Sequence, residues 1–131
     1  LRLNQKLKPR HRNLDVTVKL TKTFEDGAQG FCYQGDDDRD FTIEIDHRLS
    51  RATSKEEFIE CIMHEMVHVW QGATGRIKDK FRGGYKKLWK CKDGKYRNYL
   101  NTAYEKQPWE VEAYKMQGPL TKAFMEEYGV K

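Results

Sequence analysis

The chain has 131 residues, 37% of them hydrophobic and 34% charged, with a net charge of +5. That length suits one domain, 1–131, able to bury about two thirds of the surface its unfolded form exposes. No apolar run approaches the ~20 residues of a helical membrane span. Cys32, Cys61 and Cys91 form no CxxC pair, which argues against a disulfide framework or a zinc ribbon and for reduced thiols in a cytoplasmic setting.

The first twelve residues carry Arg2, Lys6, Lys8, Arg10 and Arg12 without an acid. No apolar segment follows them, so they do not read as a secretory signal. Residues 14–21, LDVTVKLT, alternate and are β-branched, which predicts a strand with Leu14, Val16, Val18 and Leu20 on one face. Gly30 to Tyr33 predicts a short second strand, and GDDDRD at 35–40 a turn. Asp36, Asp37, Asp38 and Asp40 lack the full spacing of a calcium loop, so a solvated turn is the plainer reading. FTIEI, 41–45, predicts a third strand with Phe41, Ile43 and Ile45 inward. The three should form a small, mostly antiparallel sheet.

Ser54, with Glu57 three residues later, predicts a capped helix from about 55 to about 71. Phe58, Ile59, Ile62, Met63, Met66, Val67, Val69 and Trp70 surround it, which marks a buried, central helix. Residues 76–107 leave two options open: a hairpin turning at Lys92-Asp93-Gly94, or a helix around 81–90. Pro108 should open a helix over about 109–117 that stops at Gly118-Pro119. A last helix with Leu120, Phe124 and Tyr128 on one side should end at Gly129. The predicted class is α+β: a small sheet packed on a central helix, with further C-terminal helices.

His64-Glu65-x-x-His68 lies on the central helix. Positions four apart share a helical face, so both imidazoles project to a common point with Glu65 beside them, as in an HExxH zinc site. Two imidazoles and a carboxylate buried without partners would cost several kcal/mol, and a cation removes that penalty. The other reading is an accidental match on an apolar helix. A catalytic zinc needs three protein ligands. No His follows His68, position 71 is Gln and position 74 is Thr, while His11 and His47 lie upstream as surface or turn residues. An acid from PWEVEAY, 108–114, is the remaining source. Small Ala113 lies one turn above Glu110 and would let the two helices approach closely. Glu112 shares its side with Lys115. Glu110 is therefore the favoured ligand over Glu112.

These residues resemble the zincin metallopeptidases. HEMVH at 64–68, followed by Glu110-x-x-Ala113, is similar to the gluzincin arrangement, in which a later helix supplies a Glu as third ligand. Tyr114 stands where many gluzincins place Asp or Asn. The short length and the ExEA sequence resemble the compact ImmA/IrrE type. The His-Glu-Met-x-His opening also resembles SprT-like proteases, which typically add a third His and often a zinc ribbon, both missing here. The resemblance spans about 54–75 and 108–118. It implies FTIEI as the edge strand beside a cleft, pairing with peptide or protein substrates.

The expected chemistry is peptide hydrolysis. Zinc on His64, His68 and Glu110 activates a water, and Glu65 acts as general base. Tyr114, Tyr104, Tyr99, Arg76 and Arg97 are candidates to steady the oxyanion. Residues 76–99 interleave bases with Phe81, Tyr85, Trp89, Tyr96 and Tyr99. Nucleic-acid binding segments share that pattern, but a lid with core aromatics and solvated lysines is the plainer reading. The alternative function is therefore an SprT-like, DNA-associated protease, or a non-catalytic nucleic-acid or protein-binding module on a zincin scaffold. Cys61, one turn before His64, reads as a small buried hydrophobe.

Overall fold

A computed structural model describes residues 14–21, 29–35, 39–49 and 54–129. The basic stretch 1–12, His11, and Asp36 to Asp38 of the acidic loop lie outside the described residues. The chain is α+β: the described residues form two small sheets and two long helices.

The first sheet holds β1 (Asp15–Thr21), β2 (Gly30–Gln34) and β3 (Asp40–Asp46) in the order β1-β3-β2. The pair β2–β3 is antiparallel as expected, but β1 runs parallel to β3. FTIEI is thus the central strand, not the edge, and β2 takes the outer position. Alternation along β3 buries Phe41, Ile43 and Ile45. They form the core with Met63, Met66 and Val69, and Leu14 and Val16 of the first segment pack against it. Val18 and Leu20, predicted on the same face of β1 as Leu14 and Val16, remain 47% and 55% exposed.

Helix α1 (Lys55–Ala73) begins at Ser54, whose Oγ accepts the Glu57 N–H at 3.2 Å. One side of α1 lies on β2 and β3, and the other on α2 (Pro108–Tyr128). That double burial explains why its apolar residues surround the axis.

Between the helices, β4 (Ile77–Lys80), β5 (Lys86–Lys90) and β6 (Tyr96–Asn98) form an antiparallel meander, so the helix considered for 81–90 does not form. The turn at 91–95 joins β5 and β6 as the hairpin reading expected. It is not type I′: Gly94 has φ of 83°, while no described non-glycine residue has positive φ. With the Gly94 N–H donating to Cys91 O, it is a turn closed by a left-handed glycine.

Helix α2 opens at Pro108 and closes at Gly129, as predicted, but it runs unbroken through Gly118-Pro119. The two expected C-terminal helices are one. A mid-helix proline costs about 3 kcal/mol. Here Pro119 and Lys115, whose carbonyl loses its donor, are on the exposed side of the helix. Leu120 and Phe124 beyond the proline pack against the core and Thr121 is buried. That burial opposes the break and favours one continuous helix.

Candidate metal centre

The mutual packing of α1 and α2 creates the site. His64 and His68 point from α1 toward the first turn of α2, and Glu110 meets both. Glu110 Oε1 lies 2.9 Å from His64 Nε2 and 3.1 Å from His68 Nε2. Ala113, fully buried, leaves room for this close approach. Glu65 is buried beside the histidines. His64, Glu65 and His68 are positioned to bind a metal ion, each offering one ligand atom within 4.8 Å of the others.

The far sides of both rings are occupied. His64 Nδ1 is 2.7 Å from Gln117 Oε1, and His68 Nδ1 is 2.8 Å from Gln71 Oε1. The orientation of both amides is set elsewhere. Gln117 Nε2 donates to Glu60 Oε1 at 2.8 Å, and Gln71 Nε2 donates to Trp109 O at 3.1 Å and Glu112 Oε1 at 3.0 Å. An amide oxygen only accepts, so each Nδ1 must carry the proton. In the neutral imidazole each Nε2 is then a bare lone pair. Two lone pairs and a carboxylate oxygen facing one another repel unless a proton or a cation lies among them. This donor set fits a divalent metal.

Electrostatics follow the same geometry. Burial pulls His64 down, but its bonds to Glu110 and Gln117 and the charges of Glu65 and Glu110 leave its pKa raised. Burial pushes Glu110 up, yet hydrogen bonds from the two histidines and their charges outweigh it and hold it at about 2. Glu65 is raised, chiefly by burial, with the histidines opposing and Glu110 adding to the rise. A carboxylate raised this way is a better proton acceptor than an ordinary one.

Glu112 does not reach the histidines. Its partners are Gln71 and Arg76, the latter at 2.5 Å, where helical spacing had suggested Lys115. Arg76 lies between the rings of Trp70 and Trp89. His47 bonds the Thr21 carbonyl at 2.8 Å at the end of the sheet. Among the oxyanion candidates, Arg97 is bonded to Asp93 and Tyr99 to Cys91, and neither they nor Arg76 line the cleft that holds the histidines. Tyr114 and Tyr104 do line it. The Tyr114 ring sits 4.6 Å from that of His64, and the two hydroxyls are 3.4 Å apart.

The cleft has a volume of about 1610 Å³ and is walled by β2, α1, the β4–β5 hairpin and the start of α2. The strand beside it is β2, in place of the expected FTIEI. Cys61 lines it too, half-buried, its thiol pushed to about 11 by burial first and then by Glu65.

Sequence reasoning missed three residues. Gln71 shares a helical face with His64 and His68, and Gln117 lies two turns beyond Glu110, so helical spacing could have found both. Lys87 enters the cleft from β5, and no sequence spacing relates it to the histidines. Among the described residues, no helix is long and apolar enough to cross a membrane. Comparison of the chain with protein-family models, with curated proteins and with solved structures found no match.

Proposed function

We propose that this chain is a zinc-dependent peptidase, with His64, His68 and Glu110 as the metal ligands and Glu65 as the general base. One observation carries the reading. Both Nε2 atoms converge on a single Glu110 oxygen while both Nδ1 atoms are committed to amide oxygens. Two nitrogens and one carboxylate oxygen are the donor set of an open, catalytic zinc site. Zinc held there would supply Lewis acidity toward a carbonyl and lower the pKa of a water toward ~7.

The protein's own groups do the rest. Glu65, buried and raised in pKa, takes the proton from the attacking water and passes it to the leaving amine. Tyr114 and Tyr104 present hydroxyls at the rim of the site, where they can donate to the developing oxyanion. The outer strand β2 offers backbone groups to an extended peptide.

Metal analysis combined with two variants tests the reading. Glu65→Gln should retain stoichiometric zinc and lose hydrolysis of a denatured protein substrate. Glu110→Ala should weaken zinc binding. A fully active Glu65→Gln protein would end the proposal.

A second reading adds nucleic acid to the same scaffold. On the meander, Lys78 and Lys80 share a face with Lys86 and Lys90, and Lys80 is directly opposite Lys86. Like charges paired across strands are destabilising, which a polyanion would relieve. At the hairpin tip Phe81 and Tyr85 are exposed and stacked, their centroids 5.3 Å apart. Stacked aromatics among lysines suit single strands. Titration with single-stranded DNA at several salt concentrations decides it: a steep fall of log K with log salt supports this reading, and no binding at low salt removes it.

A further inference from the structure

The side of the meander opposite the lysine face carries Asp79, Lys87 and Trp89, and Lys87 is a cation inside the cleft of the metal centre. It is half-buried, with Nζ 4.4 Å from the ring centroid of Trp109, the residue before Glu110. That ring is its near contact; no carboxylate of the described residues makes an ion pair with it. Asp79, its cross-strand neighbour, accepts the Tyr85 hydroxyl through Oδ1 at 2.7 Å. Glu60 is held by Gln117, and Glu57 sits at the exposed first turn of α1. Burial depresses the Lys87 pKa, while the charges of Glu110, Asp79 and Glu65 support the ammonium form.

Asp79, across the strand pair, is turned to the Tyr85 hydroxyl and makes no ion pair with Lys87. An ammonium group that lines a partly desolvated cleft without a bonded carboxylate suits an anionic ligand. Of the other lysines along the cleft, Lys78 lies over the Tyr96 ring, and both Lys78 and Lys80 are exposed where Lys87 is half-buried.

We infer that Lys87 is a specificity-determining residue that pairs with a carboxylate of the substrate close to the scissile bond. The inference rests on the peptidase reading and deepens it: the preferred substrates carry either a free C-terminal carboxylate or an acidic side chain beside the cleaved bond. Both sources present the same chemistry to the ammonium group.

The test begins with binding, so that it does not depend on turnover. Zinc affinity is first measured on wild type, Lys87→Met and Lys87→Arg. It should be similar in all three, because Lys87 is not a ligand; absence of zinc binding in wild type would overturn the peptidase reading itself. The zinc-loaded proteins are then titrated with benzylsuccinate, whose two carboxylates can engage the metal and Lys87, and with the analogue whose distal carboxylate is a primary amide. Wild type should favour the diacid by about tenfold or more, Lys87→Arg should keep most of that preference and Lys87→Met should lose it. Equal affinity for the two compounds in wild type, or a preference that survives in Lys87→Met, overturns this inference while leaving the metal centre intact. Peptides separate the two sources: a free C-terminus, a C-terminal amide, and a C-terminal amide with Asp beside the scissile bond. The preferred form should show the lower KM in wild type, and that advantage should vanish in Lys87→Met.

Discussion

Gln117→Leu is the most direct probe of how the site is held. In the native protein the His64 Nδ1–H donates to Gln117 Oε1 at 2.7 Å. That bond presents Nε2, the nitrogen nearest Glu110, as a lone pair. Leucine keeps the bulk and removes the acceptor. A buried donor left unsatisfied costs about 1–3 kcal/mol, and 1.4 kcal/mol is a factor of ten, so zinc affinity should fall by roughly 10–100-fold. The fold should suffer less. The group that Gln117 leaves behind, Glu60, is only half-buried and can turn to water. Gln117→Glu restores an acceptor and should bind zinc at least as well as wild type. Gln71→Leu is the contrasting case. Gln71 is fully buried and also serves Trp109 O and Glu112, so its loss should lower both zinc affinity and the melting temperature. The assay is competition with a chromophoric chelator at neutral pH, alongside thermal unfolding of the metal-free proteins. A folded Gln117→Leu protein with wild-type zinc affinity would show that His64 does not bind metal through a nitrogen oriented by this bond.

Other outcomes follow from the same geometry. In the metal-free protein Glu110 is held below its ordinary 4.5, at about 2. Its contribution is therefore present above pH 4.5 and is lost as pH falls toward 2; it is at most about 3 kcal/mol, less because solvent enters the cleft. His64 is raised above its ordinary 6.5, so its contribution is present below 6.5 and lost as pH rises through the folded value. Urea midpoints of the metal-free protein should accordingly be highest between those two values and decline on both sides; a midpoint that climbs steadily to pH 8 would contradict the Glu110–histidine pairing. Zinc requires unprotonated His64, so the rise in melting temperature on adding zinc should grow from pH 6 to 8. Pro119→Ala should restore a donor to the Lys115 carbonyl and stabilise the chain by about 1–3 kcal/mol, readable as a higher melting temperature. An unchanged or lower value would mean that α2 does not pass through Gly118-Pro119 as a continuous helix.

Local pattern carried a great deal here. The strand at 14–21, the inward face of FTIEI, the Ser54 cap and the buried helix to about 71 were all legible, because each depends on periodicity and near-neighbour chemistry. So was the pairing of His64 and His68, which helical spacing alone dictates, and the approach of Glu110 to both, which the small Ala113 beside it permits. Sequence could not decide matters of long-range partnership. The parallel run of β1 and β3 depends on how the chain crosses the sheet, and it turned FTIEI into the central strand and β2 into the outer one. Continuity of α2 through Pro119 depends on burial beyond the break, and a local stop signal carries no information about that. Lys87 and Glu65 are brought to one cleft only by the packing of a meander against two helices. Spacing along a single helix determines which side chains share a face; which face meets which is settled by burial summed over the whole molecule, and that sum exists only in three dimensions.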